Sequence, residues 1–356
     1  MHTDPVCGME IDNEEFTCES EGVKYFFCSQ GCLEKFTSSF SENPGKHAYD
    51  LIIIGGGPAG LTAAVYASVL KIDTFLITDD IGGQAIDTSK IKNYMGFDFI
   101  SGPELIRKFK NQFLNEHYLS HKIGHVVKVE KQNKKFEITT QTQEKYSSNA
   151  VIVASGMKKR KLGIPGENEL QRKGVCYSLV HDIDLFKGSE VIVIGGGNSG
   201  VQTATDLKKA GCAVTLVTMG KMIADPKNIE KINNHVRIIE EHILTEILGN
   251  DDVEGVVIQS EKTNKKTKLP CKGVFIQVGF LPNTEFCRDL VELNGNGEII
   301  IYPDCSTQTD GLYACGDVTD VFKRIIIASG EGAKAALSVK QYLRKKITPK
   351  TQTIQK

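Results

Sequence analysis

The chain has 356 residues, 40% of them hydrophobic, and a formal net charge of −1. This length accommodates two or three domains, and the balanced charge argues against nucleic acid or an anionic membrane surface as a partner. No apolar run approaches the roughly 20 residues of a membrane span, and the N-terminus lacks the basic and apolar regions of a secretory signal. We therefore expect a cytoplasmic protein whose ten cysteines stay mostly reduced.

Residues 1–46 differ from the rest, because four cysteines and several aromatic side chains crowd into a segment too short for a large core. Cys28 and Cys32 stand four positions apart and would share one face of a helix or tight turn, and Cys7 can supply a third thiolate. Thiolates suit zinc, copper(I) and other soft ions, although ordinary free thiols in a small fold remain the alternative. Turn-forming residues at 41–45 then mark a domain boundary.

The run D-P-V-C-G-M at residues 4–9, followed by Y-F-F-C at residues 25–28 and by Cys32, resembles the YHS domain, a small module associated with heavy-metal binding. The resemblance implies a small α+β module with metal contacts at Cys7, Cys28 and Cys32. It does not identify the metal, and we expect a soft, zinc- or copper-like ion. The candidates for a fourth ligand are Cys18, His2 and His47.

From residue 48 onward strand-like and helix-like runs alternate. Twice an apolar strand leads into G-x-G-x-x-G, at residues 51–60 and at residues 191–200, and each time a helix-like run follows. In this motif the first glycine makes the turn, the second lets backbone amides approach a pyrophosphate, and the third lets the helix pack on its strand. The helix N-terminus then favours the negative charge of the phosphates. Two such motifs predict two bound dinucleotides.

Further strands are predicted at residues 73–78, 150–156 and 311–317, and a helix at residues 328–343. The acids Asp79 and Asp80 follow the first of these strands, where an acid often meets a ribose. A solvated turn is an equal interpretation of this pair.

The order of motifs over residues 49–343 resembles that of the low-molecular-weight thioredoxin reductases. The landmarks are residues 55–60, 82–84, 93–96, 154–167, 195–200, 279–283 and 315–324. The resemblance implies an α/β fold with two Rossmann-like, three-layer domains, and a homodimer. The implied boundaries are residues 1–46 for the metal-binding module, 49–162 and 284–343 for the FAD domain, 163–283 for the NAD(P) domain, and 344–356 for a tail.

The same resemblance implies the cofactor contacts. Those to FAD fall on Gly55, Gly57, Ala59, Gly60, Gly83, Gln84, Asn93, Gly316, Asp317 and Ile326. Those to NAD(P) fall on Gly195, Gly197, Asn198, Ser199 and Gly200.

The chain departs from this family at the redox dithiol. Members normally carry C-x-x-C within a stretch like G-V-S-Y-C-x-x-C-D, whereas residues 174–182 read G-V-C-Y-S-L-V-H-D. Ser178 and His181 therefore occupy the cysteine positions and are the candidate catalytic residues. A serine hydroxyl forms no mixed disulfide. His181 could act as a proton donor or simply fill the vacated space, and we expect Cys176 to be a buried, inert thiol.

A second departure concerns the electron donor. Family members that use NADPH place arginines after the second strand of the NAD(P) domain, whereas residues 214–218 continue here as M-G-K. Lys221 alone is a weak phosphate ligand, and no Asp or Glu directly follows the strand to bind a ribose. NADH is mildly favoured over NADPH, and a ferredoxin-type donor stays open. Ile325 also replaces the glutamine that follows Arg324 in the family, which would change hydrogen bonding at the flavin ring.

These observations predict an FAD-dependent oxidoreductase that passes electrons from NAD(P)H directly to a small molecule, a soft metal ion or an electron-carrier protein. One alternative is a disulfide reductase that borrows Cys28 and Cys32 as its thiols. The other is a non-catalytic, FAD- and metal-binding sensor, against which the retained second glycine motif argues.

Overall fold

In the computed structural model, the described residues are 2–3, 10–11, 15–20, 23–30, 33, 46–88, 90–178, 183–232 and 235–347. The chain divides into two compact units, Met1–Met157 with Pro282–Lys356, and Lys158–Leu281. Within the described ranges, no helix combines the length and apolar character needed to cross a membrane.

The N-terminal region forms two short antiparallel ribbons. Strand β1 (His2–Thr3) pairs with β2 (Glu10–Ile11), and β3 (Phe16–Ser20) pairs with β4 (Val23–Phe27). Phe27 is fully buried, and Cys28, which follows β4, is half-buried. Two of the three predicted metal ligands, Cys7 and Cys32, lie outside the described residues.

The rest of the chain alternates strands and helices. The strands are β5 (Ala48–Gly56), β6 (Thr74–Ile81), β7 (Leu119–Ile123), β8 (Val126–Gln132), β9 (Lys135–Thr140), β10 (Lys145–Val153), β11 (Met157–Lys159), β12 (Val175–Cys176), β13 (Glu190–Ile194), β14 (Ala213–Val217), β15 (Arg237–Ile239), β16 (His242–Leu248), β17 (Gly255–Ser260), β18 (Lys266–Pro270), β19 (Gly273–Ile276), β20 (Phe280–Pro282) and β21 (Leu312–Ala314). The helices are α1 (Pro58–Val69), α2 (Gly102–Leu114), α3 (Asn198–Lys209), α4 (Pro226–Glu230) and α5 (Ile325–Ile347).

The first unit is centred on a seven-stranded sheet in the order β7-β6-β5-β10-β9-β8, with β21 also paired to β10. Strands β7, β6, β5, β10 and β21 are parallel, whereas β9 and β8 join the first half of β10 as an antiparallel ribbon.

Both faces of β5 are buried, which explains its continuous apolar run. Leu51 and Ile53 pack with the alanine-rich faces of α1 and α5, whereas Ile52 and Ile54 pack with side chains of the antiparallel strands. The unit therefore has three layers, with the parallel strands between the helices on one face and the antiparallel strands on the other.

The second unit repeats this plan around a five-stranded parallel sheet in the order β12-β19-β13-β14-β15. Val191 and Val193 of β13 face one apolar cluster, and Ile192 and Ile194 face another. Strands β16, β17 and β18 form a separate antiparallel sheet. The predicted α/β fold with two Rossmann-like sheets is confirmed.

Candidate functional site

The first glycine loop lies where β5 leads into α1. Gly55 has φ +112°, and a Cβ on it would lie 2.3 Å from the Ala154 carbonyl oxygen. A Cβ on Gly60 would lie 1.8 Å from the Gly55 carbonyl oxygen, so both positions need glycine for the helix to pack on its strand. Gly57 caps α1 with an ordinary φ of −74°, and a Cβ there would meet nothing within 4 Å. The start of α1 therefore borders open space at Gly57, as a pyrophosphate site requires.

The turn after β6 packs against this loop. Gly83 N donates to Asp80 Oδ1 (2.7 Å), and a Cβ on Gly83 would lie 3.2 Å from Gly57 Cα. Gln84 Nε2 donates to the Met157 carbonyl oxygen (2.6 Å). The structure thus brings Gly83 beside Gly57. The Asp80 carboxylate holds the turn that leads from β6 to Gly83.

The turn after β21 completes the site. A Cβ on Gly316, where φ is +77°, would lie 2.8 Å from Ala59 Cβ, so this turn lies directly against α1. Gly316 N donates to Glu331 Oε2 (2.7 Å), a buried carboxyl on α5. Burial raises the pKa of both Asp317 and Glu331, against the opposing positive charge of Lys323. The sequence analysis did not identify Glu331. The pattern that could have identified it is a single acid among the small residues on the buried face of a helix.

Two further predicted FAD contacts lie on neighbouring elements. Asn93 is exposed on the segment closed by the bridge between Ile91 and Ile100, and Ile326 is 41% exposed in the first turn of α5. Ile325 packs against the apolar cluster that contains Ile91 and Ile100. The residue that replaces the family's glutamine therefore joins α5 to the Asn93 segment through apolar contact.

The second glycine loop repeats the geometry of the first. Gly195 has φ +128°, and a Cβ on it would lie 2.1 Å from the Gln277 carbonyl oxygen. A Cβ on Gly200 would lie 1.9 Å from the Gly195 carbonyl oxygen. Gly197 caps α3 and, like Gly57, has nothing within 4 Å of the position of a Cβ. This loop therefore also borders open space at a helix N-terminus. We call the space at Gly57 the first cradle and the space at Gly197 the second cradle.

Asn198 holds the segment in front of α4. Its Oδ1 accepts from Asp225 N (2.9 Å) and from Asn228 Nδ2 (3.1 Å), and its Nδ2 donates to Asp225 Oδ2 (3.1 Å). Ser199, the next residue, is exposed, as Asn198 is. The Asn198 side chain therefore ties the start of α3 to the start of α4.

The segment that lacks the dithiol is anchored at Tyr177. Tyr177 OH donates to Glu167 Oε1 (2.5 Å), and Gln277 Nε2 donates to the Tyr177 carbonyl oxygen (3.1 Å). Burial opposes ionisation of the fully buried Glu167, but the Tyr177 hydroxyl and the backbone N–H groups of residues 162 and 163 lower its pKa on balance. Ser178 follows directly and is half-buried. The other candidate catalytic residue, His181, lies outside the described residues.

Apart from Cys28, the described cysteines are poorly suited to thiol exchange. Cys176 is buried in β12, as expected. Burial raises the thiol pKa at six positions, which keeps the nucleophilic thiolate scarce. These are Cys18, Cys212, Cys271, Cys287, Cys305 and Cys315. Across the described ranges, no three His, Cys, Asp or Glu side chains group to hold a metal ion.

Two families match the chain. The family described as pyridine nucleotide-disulphide oxidoreductase matches residues 49–332, and the YHS domain matches residues 2–46. Among solved structures, thioredoxin reductase from Lactococcus lactis is 34% identical, with a TM-score of 0.73 over 83% of this chain and 99% of that one. Thioredoxin reductase from T. acidophilum is 32% identical, with a TM-score of 0.72 over 85% of this chain and 100% of that one.

Curated relatives are longer than this chain. The F subunit of alkyl hydroperoxide reductase from Pseudomonas aeruginosa is 36% identical over 85% of this chain. A protein named NADH dehydrogenase, from Ferdinandcohnia aciditolerans, is 36% identical over 87% of it. In both cases the match spans 60% of the relative's length.

Proposed function

This chain belongs to the pyridine nucleotide-disulphide oxidoreductase family, and we propose that it passes electrons from NAD(P)H through FAD directly to an acceptor, without a dithiol of its own. Its family and its similarity to thioredoxin reductases support an NAD(P)H- and FAD-dependent oxidoreductase. Bound FAD would supply the hydride acceptor and the electron donor of this chemistry.

The residues present fit both cofactors. Gly57 and Gly197 each leave open space at a helix N-terminus, while their neighbours Gly60 and Gly200 hold the helix against its strand. We assign FAD to the cradle of Gly57, with Gly83, Gly316 and Asp317 around it, and NAD(P)H to the cradle of Gly197. The proposed domain limits stay at residues 49–162 with 284–343 and at residues 163–283.

The observation that carries the proposal is Ser178, which stands where the family's first redox cysteine belongs. Tyr177 and its contacts to Glu167 and Gln277 keep the segment in place, so the change lies in the reactive group rather than in its support. Electrons from the flavin then leave the protein without a thiol relay. A soft metal ion, a small molecule or an electron-carrier protein is the proposed substrate class, and the metal binding proposed for the YHS domain at residues 2–46 supports the first of these.

Two lines support NADH as the donor. The segment after β14 contains Lys221 but none of the arginines that would pair with a 2′-phosphate. The similar protein from Ferdinandcohnia aciditolerans is named NADH dehydrogenase. The homodimer and the cytoplasmic location implied by the sequence belong to the same proposal.

The test is to mix the anaerobic, FAD-loaded chain with NADH and then with NADPH, and to follow loss of oxidised flavin absorbance. Fast bleaching supports the proposal, and acceptors are then compared by turnover, with soft metal ions beside disulfides. Failure of both nucleotides to bleach the flavin would contradict it. If disulfides turn over and Cys28→Ser stops them while bleaching persists, a disulfide reductase using thiols of the N-terminal module takes its place.

A further inference from the structure

The end of β15 lies against the segment that follows β14. The two strands pair in parallel up to Val217 and Ile239, and beyond this pair Thr218 N donates to the Ile239 carbonyl oxygen (3.0 Å). Next along the chain comes Glu240, whose Oε1 accepts from Met222 N (2.8 Å). A carboxylate from the third strand is therefore fixed to the loop that follows the second.

The same loop closes on the second glycine cradle. Ile223 N and Ala224 N both donate to the Gly196 carbonyl oxygen, at 2.9 and 3.1 Å. Met222, which Glu240 holds, directly precedes these two residues. The Glu240 carboxylate is thus held against the loop that borders the NAD(P)H cradle.

The neighbouring acid is engaged differently. Glu241 Oε2 pairs with Lys262 Nζ (2.5 Å), so its charge is balanced by a lysine. Glu240 instead accepts from a neutral backbone amide and is exposed. Its negative charge is thereby presented at the loop, where Lys221 is exposed as well.

We infer that Glu240 selects NADH over NADPH by accepting a hydrogen bond from the adenosine 2′-hydroxyl and repelling a 2′-phosphate. In dinucleotide-binding folds the group beyond the second strand meets this hydroxyl, and an acid there favours NADH. In this chain no Asp or Glu directly follows β14. The acid is instead Glu240, which follows the neighbouring strand β15. The inference rests on the proposed function, because it assigns the nucleotide to the cradle of Gly197.

The test compares the FAD-loaded full-length chain with Glu240→Gln, Glu240→Arg and the control Glu241→Gln. Glutamine keeps an acceptor for Met222 N, so the loop is expected to stay folded. Binding of 5′-AMP and of 2′,5′-ADP is measured by calorimetry, which isolates the 2′-phosphate from any electron transfer. The rates of flavin reduction by NADH and NADPH are measured beside it.

We expect the wild type to bind 5′-AMP more tightly than 2′,5′-ADP, Glu240→Gln to reduce this preference about tenfold, and Glu240→Arg to reverse it. Glu241→Gln should leave the preference unchanged. An unaltered preference in Glu240→Gln, an equal change in Glu241→Gln, or no binding of either nucleotide would overturn the inference. If the nucleotides bind as expected but no donor bleaches the flavin, the proposed function fails while the role of Glu240 stands.

Discussion

At the scale of single residues, the glycines of each motif have two distinct roles. Gly55 and Gly60 allow backbone to approach backbone, so a Cβ at either would collide with a carbonyl oxygen. Gly57 has ordinary dihedral angles and free space, so its requirement comes from the ligand and not from the fold. A sequence motif cannot separate these roles, because all positions are written with the same letter.

This distinction predicts that two alanine substitutions have different effects, one on FAD binding and the other on stability. Gly57→Ala should fold with nearly unchanged thermal stability in the FAD-free state but retain little FAD after purification, because the methyl group occupies the cradle. Gly60→Ala should lower stability with or without FAD. Flavin content by absorbance and thermal unfolding of FAD-free protein measure both effects. Full FAD retention by Gly57→Ala would contradict the assignment.

The buried Glu331 predicts a pH dependence of stability. Burial raises its pKa above the ordinary value of 4.5, so the folded state holds this proton more firmly than the unfolded state. The free energy of unfolding should therefore fall as pH rises from about 4.5 through the raised pKa. Glu331→Gln keeps an acceptor for Gly316 N but cannot ionise, so it should lack this part of the decline.

Chemical denaturation of wild type and Glu331→Gln across that pH range tests the prediction. Glu246→Gln, which changes an exposed acid on β16, is the control and should follow the wild-type curve. Parallel curves for wild type and Glu331→Gln would show that Glu331 does not titrate differently in the folded state.

At the scale of elements, the segment that begins with β12 is still anchored by side-chain hydrogen bonds, although serine and histidine replace the two redox cysteines in it. Tyr177→Phe removes the hydroxyl that donates to the buried Glu167 carboxylate. We expect the free energy of unfolding to fall by roughly 1.5–3 kcal/mol, as for loss of a hydrogen bond to a charged group. Tyr302→Phe, at a tyrosine that is 57% exposed, is the matched control and should have little effect. Equal stability of the two variants would mean that Tyr177 does not anchor the segment.

The sequence could predict the elements that are encoded locally. The apolar runs of β5 and β13, and the glycines after them, identify buried parallel strands and both cradles. Glu240 could not be found in this way, because it acts through a backbone amide brought near by tertiary packing. Glu331 is a lone acid among small residues of its helix, but its partner Gly316 N could not be read from the sequence. The packing of Ile325 could not be predicted either, since its apolar partners lie more than two hundred residues earlier in the chain.

At the scale of the whole molecule, we propose that the N-terminal module binds a metal ion and that electrons enter separately, at the flavin. Cys28→Ser should lower the metal bound per chain, measured by mass spectrometry after loading with zinc, and leave flavin bleaching by NADH intact. Thr17→Ser, on β3 of the same module, is the control and should keep the wild-type metal content. Unchanged metal content in Cys28→Ser would contradict the predicted ligand set of Cys7, Cys28 and Cys32.

The most direct test of the central claim is an anaerobic reductive titration of the FAD-loaded chain with NADH. Because Ser178 and His181 stand in the sequence where the family's two redox cysteines belong, we predict complete bleaching after about one equivalent of this two-electron donor per FAD. An enzyme with a redox-active disulfide needs about two, since the disulfide takes up a second electron pair. Bleaching at about two equivalents would contradict direct transfer to an external acceptor and would show that thiols of this chain take part.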